Sequence, residues 1–290
     1  MKWKARGLAT LGALGLAVQE YVARRYYRST PGPVRFVHED ERTAWTAPWH
    51  ELLAPVEWLR LRASPVYRGT GVSPGDGAPV LLVHGFLTRG AYLRPFRSWL
   101  RRIGYRADIA DIGWNADCTD VLTDRVMAIV RRTRDETGAR VHLIGHSFGG
   151  VLIRAAAARG RDGAASVTTL GAPFRGLALH PGLRLGAAAV RAKIHARRGE
   201  AVHGRCLTLG CECVSVRALQ APLPADLPQL AIVTRHDGVA DWRYGADPAT
   251  TATIEVTASH TGLVFNPVAY RAIATHLAVA SRAPMQARGA

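Results

Sequence analysis

The sequence predicts an α/β protein with a mostly parallel, doubly wound sheet, and three observations carry that expectation. Short apolar runs such as Pro79-Val80-Leu81-Leu82-Val83 are continuous rather than alternating, as expected of strands covered on both faces. Segments with apolar residues at helical spacing lie between them. The two kinds alternate along the chain, which demands parallel pairing through right-handed crossovers.

Taken in order, residues 1–28 carry Lys2, Lys4 and Arg6, an apolar run from Leu8 to Val18, and then Arg24, Arg25 and Arg28. That order resembles an export signal, and the run falls short of the roughly 20 apolar residues a membrane span needs. A signal peptide, a helix lying on a membrane surface and a marginal anchor all fit it, so export or membrane association is favoured over a cytoplasmic location. Residues 29–78, rich in Pro, Trp and Arg and without a clear period, read as an N-terminal extension. The catalytic domain is expected from Pro79 to Ala290.

After the first strand, AYLRPFRSWLRRIG reads as a helix, YRADIADIG as a strand, and Thr119 to Thr137 as a helix closed by Gly138. The strand ARVHLIG, the helix FGGVLIRAAAARG and the strand SVTTLGAPF follow. From about Arg175 to Pro228 the alternation gives way to an Ala, Gly, Arg and Pro-rich stretch, expected to be a lid. Its residues Leu177, Leu179, Leu183 and Leu185 could form an apolar cover or simply pack on the core. The alternation resumes with QLAIV and TIEVTAS, and NPVAYRAIATHLAVA reads as a closing amphipathic helix.

The 290 residues are 48% hydrophobic and 21% charged, which excludes extensive disorder. A net charge of +16 favours anionic partners in general. The arginines are scattered, however, with no aromatic-interleaved basic stripe, and no nucleic-acid partner is expected. Cys118, Cys206, Cys211 and Cys213 lack the paired spacing of a zinc site, so no metal is expected. One or two disulfides would fit an exported chain, and the spacing does not name their pairing.

Gly145-His146-Ser147-Phe148-Gly149-Gly150 lies between a predicted strand and a predicted helix and fits G-x-S-x-G, a turn that projects its serine above a sheet edge. Ser147 is therefore the candidate nucleophile. A serine hydroxyl needs a base, and His260, after the strand TIEVTAS, lies on the same expected sheet edge. The base needs an acid to fix its tautomer, for which Asp237 comes first after QLAIV, with Asp241 as its rival. Backbone N–H groups of Phe86 and Phe148 are the candidate oxyanion donors.

Together VLLVHGF, GHSFGG, TRHDGVADW and SHTGL resemble the bacterial esterases and lipases of the α/β-hydrolase superfamily, over the stretch from Pro79 to the C-terminal helix. The resemblance implies the α/β-hydrolase fold, hydrolysis of carboxylic esters without a cofactor, and a small-molecule ester or lipid as substrate. It also supports the nucleophile at Ser147, the acid at Asp237, the base at His260 and the oxyanion donors at Phe86 and Phe148. A thioesterase or another acyl transferase would use the same residues. The basic, apolar N-terminus adds a membrane surface as a candidate partner. A non-catalytic binding module would have no need to keep the three residues in register.

Overall fold

The computed structural model of the protein describes residues 48–160, 163–176, 181–198, 212–246 and 251–282. The expectations for residues 1–28, for Cys206 and Cys211, for Leu177 and Leu179 and for the Leu183 side chain lie outside the described residues.

Six strands form one sheet: β1 (Pro79–Val83), β2 (Arg106–Ile109), β3 (Val141–His146), β4 (Ala164–Leu170), β5 (Gln229–Val233) and β6 (Ala252–Glu255). They lie in the order β2-β1-β3-β4-β5-β6, and every pair is parallel. The chain leaves β1 for β2 on one side and returns to place β3 on the other. Such a reversal opens a crevice beyond the carboxyl ends of the two neighbouring strands.

Every residue of β1 is buried, and its side chains alternate between two cores. Val80 and Leu82 join α2 (Arg94–Arg102) and α7 (Pro267–Arg282), where Tyr270 lies 4.8 Å from Phe96 and 4.4 Å from Trp99 between ring centres. Leu81 and Val83 join α3 (Thr119–Thr137) and α4 (Phe148–Arg159) on the opposite face. A run covered on both faces has no solvent side, which is why its sequence shows no alternation. Gly138 ends α3 in the left-handed region, with φ 67°.

The first described α-helix, α1 (Ala54–Ala63), follows a 3-10 helix (Pro48–Leu53) and buries Leu61 in the α7 core. Two expectations need correction here. The stretch from Arg175 to Pro228 is not a cover as a whole, because its helix α6 (Val214–Gln220) sinks Val216 and Leu219 into the core beside α4. Asp120 fixes the start of α6 by accepting from the N–H groups of Val214 and Ser215 at 3.1 and 2.6 Å. Of the proposed apolar cover, Leu185 on α5 (Pro181–Arg198) stands in solvent at 76% exposure. The second correction is that β6 ends at Glu255, so His260 stands five residues beyond the strand, at the start of a short 3-10 helix (Thr261–Phe265).

Among the described residues no helix is long and apolar enough to cross a membrane.

Candidate active site

Ser147 joins β3 to α4 with φ 54° and ψ −129°, a backbone conformation that costs a serine about 1–3 kcal/mol. Its N–H donates to the Leu170 carbonyl at 2.8 Å, tying the turn to β4. The turn is too tight for flanking side chains. A Cβ at Gly145 would come within 2.5 Å of the Gly150 backbone, and one at Gly149 would collide with the carbonyl oxygen of Val83.

On the same sheet edge, the loops after β5 and β6 bring Asp237 and His260 together. Their side chains are buried, and His260 Nδ1–H donates to Asp237 Oδ2 at 2.6 Å. The other carboxylate oxygen, Oδ1, accepts from the N–H groups of Val239 and Ala240 at 2.9 and 2.8 Å. Asp241 turns elsewhere and binds the Arg243 guanidinium, with contacts down to 2.6 Å. Burial opposes a charged imidazole at His260. The Asp237 carboxylate, its hydrogen bond and the Glu51 charge outweigh that, and the pKa rises above the usual imidazole value.

The backbone of His260 is held from the other end of the chain. Glu51 accepts from the N–H groups of His260 and Thr261, each at 2.9 Å. Glu57, on α1, accepts from the N–H and hydroxyl of Ser259 at 2.7 and 2.6 Å. These are donors at the opening of a 3-10 helix, where no carbonyl of the helix can meet them. The Glu57 carboxylate occupies the space a Cβ at Gly262 would need. Sequence reasoning missed both glutamates, since a segment without period or motif gives no sign of a partner about 200 residues away.

His146, inside the serine turn, has a structural duty. Its Nε2–H donates to the His260 carbonyl at 3.0 Å, and its Nδ1 accepts from the Tyr92 hydroxyl at 2.8 Å. The Tyr92 hydroxyl in turn accepts from the Gly85 N–H at 2.8 Å. Burial first, and then the nearby His260, lower the His146 pKa to about 3, so the ring is neutral and one nitrogen accepts. Elbow, His260 loop and the loop after β1 are thereby joined in one chain of hydrogen bonds.

That last loop carries Phe86. The neighbouring N–H groups are occupied, Gly85 by Tyr92 and Leu87 by the Asn115 carbonyl at 2.9 Å. Leu87 sits at φ 57°, and it and Ser147 are the only non-glycine residues at positive φ among those described. Phe86 and Phe148 meet ring to edge with centres 6.1 Å apart.

No family model matches the chain. A triacylglycerol lipase of Burkholderia plantarii is 32% identical over 133 residues, covering 43% of this chain and 37% of that one. A triacylglycerol lipase of Pseudarthrobacter phenanthrenivorans is 35% identical over 107 residues, covering 34% of each chain. The matched stretch thus spans only about a third of the length of these relatives. Among solved structures, the mature form of Bacillus licheniformis lipase BlEst2 superposes with a TM-score of 0.50 at 15% identity, over 66% of this chain and 88% of that one, a likeness of fold. The parallel sheet with a serine turn after its third strand thus has the α/β-hydrolase fold seen in that lipase, and part of the chain is similar in sequence to bacterial triacylglycerol lipases.

Proposed function

We propose that the protein hydrolyses carboxylic esters, of small molecules or lipids, through an acyl-enzyme formed on Ser147. His260 is the general base and Asp237 the acid that orients it. The observation that carries this reading is the 2.6 Å hydrogen bond from His260 Nδ1–H to Asp237, on the sheet edge where Ser147 projects. It commits the proton of the neutral ring to Nδ1 and leaves Nε2 as the acceptor a nucleophile requires.

In the first step Nε2 takes the hydroxyl proton as Ser147 Oγ attacks the ester carbonyl. The tetrahedral oxyanion is met by the N–H groups of Phe148, at the start of α4, and of Phe86. Among the described residues no acceptor meets the Phe86 N–H, whereas both of its neighbours are taken. The imidazolium gives its proton to the departing alcohol. Water then repeats the sequence on the acyl-enzyme and releases the acid. The chemistry needs no group beyond these side chains and water.

The test is hydrolysis of p-nitrophenyl esters of graded chain length by the wild type and Ser147→Ala side by side. Removing the serine of such a triad lowers kcat by about 10⁶-fold. A folded Ser147→Ala that keeps most of the activity would overturn the assignment. A fluorophosphonate probe should label the wild type at Ser147, located by peptide mass spectrometry.

A further inference from the structure

Arg191 lies on α5, and its side chain is buried to 1% exposure. Its guanidinium carbon is 5.8 Å from the ring centre of Phe86 and 5.7 Å from that of Phe148. These are the two residues whose N–H groups would receive the oxyanion. The rings attract the cation, which offsets only part of what its removal from water costs.

A guanidinium keeps its charge in proteins and cannot relieve its burial by losing a proton. Yet among the described residues no hydrogen-bond acceptor meets Nε or Nη1 of Arg191, and no carboxylate pairs with it. The contrast with Arg154 is direct. That arginine is also buried over a ring, Phe174 at 4.0 Å, but it donates to the Gln229 side chain at 2.9 Å. A buried cation with open donors, set against the side chains of the two candidate oxyanion-donor residues, is complementary to an anion that arrives with the substrate.

We propose that Arg191 is an anion-binding residue of the active site and that the ester substrate carries a carboxylate or phosphate close to its scissile bond. This rests on the ester-hydrolase reading. The planar guanidinium would grip two oxygens of the anion and set the ester against the Phe86 and Phe148 N–H groups. A net charge of +16 draws such substrates toward the protein.

Two matched pairs of esters test it. p-Nitrophenyl hydrogen glutarate against p-nitrophenyl butyrate puts the anion on the acyl side, and 1-butyrylglycerol 3-phosphate against 1-butyrylglycerol puts it on the alcohol side. In at least one pair the wild type should prefer the anionic ester in kcat/KM by about 10- to 100-fold, the range for a hydrogen bond to a charged group. Arg191→Met, which removes the buried charge and keeps apolar bulk, should bring that ratio to one or below, and Arg191→Lys should retain part of it. Calorimetric titration of the same four esters into Ser147→Ala, with and without Arg191→Met, reads the anion contact without turnover. Hydrolysis of the neutral esters with no preference in either pair, or a preference that survives Arg191→Met, overturns the proposal and leaves the hydrolase reading standing. If wild type turns over none of the four, the hydrolase reading fails, and equal Kd values for anionic and neutral esters in Ser147→Ala would overturn the anion site as well.

Discussion

The candidate nucleophile and the candidate base are held in opposite ways. Ser147 is positioned by what its neighbours lack: side chains at Gly145 or Gly149 would strike backbone within a few residues or on the adjoining strand. His260 is positioned by what others supply, with the Glu51 and Glu57 carboxylates reaching its loop from about 200 residues away and that of Asp237 from the loop after the neighbouring strand. A turn made by omission is sensitive to added volume nearby. A loop held by acceptors is sensitive to charge and geometry at a distance.

The largest effect expected along this contrast is at Asp237. Asp237→Asn should lower kcat/KM by about 10⁴-fold, as loss of the corresponding acid does in a serine protease. Steady-state kinetics with a short p-nitrophenyl ester decides it, and a loss of less than tenfold would remove Asp237 from the role. Gly149→Ala attacks the other side of the comparison. Its methyl must displace the backbone of β1, so stability should fall by about 3 kcal/mol in urea unfolding, with activity falling alongside. Normal stability there would show that the elbow has slack.

Glu51→Gln is a gentler probe, because the amide oxygen can still accept from one of the two N–H groups, which now meet separate carboxylate oxygens, while the charge is gone. That charge favours the imidazolium, alongside Asp237, with neutral His146 on the other side and Glu57 on the neighbouring Ser259. Activity requires the neutral base, so kcat/KM should rise with pH through a midpoint above the ordinary imidazole value of about 6.5. In Glu51→Gln that midpoint should move to lower pH, with only a few-fold change on the plateau. Glu51→Ala, which loses the acceptor too, should fall further, and an unmoved midpoint in Glu51→Gln would confine Glu51 to packing. The smallest effect is expected at Asp241→Asn, within about threefold of wild type, since Asp241 serves Arg243 rather than His260. A loss comparable with that of Asp237→Asn would exchange the two roles.

The sheet was legible because its evidence is local. Five continuous apolar residues in β1, a glycine ending α3 and a serine flanked by glycines each reflect contacts a few residues away or the two-sided cover of a strand. Legibility fails where the partner is remote. Nothing about Glu51 or Glu57 distinguishes them from solvated charges until the loop after β6 folds against them. Tyr92 likewise reads as one apolar residue of a helix, though its hydroxyl links Gly85 to His146. The short helix α6 was taken for part of a cover because Val214 to Gln220 is too brief to display a period, and only the packed core shows which way Val216 and Leu219 face.

The reach of Glu57 to Ser259, 202 residues along the chain, also sets an order of events during synthesis. At about 5–20 residues per second, roughly 10–40 s separate the appearance of the two partners at the ribosome. For that interval Glu57 has no partner, and the turn at Ser147 is made well before the loop that carries His260 exists. Helix α7, which covers one face of the sheet, is made later still, so the core around β1 and the contacts around His260 both close only when the last part of the chain has been made.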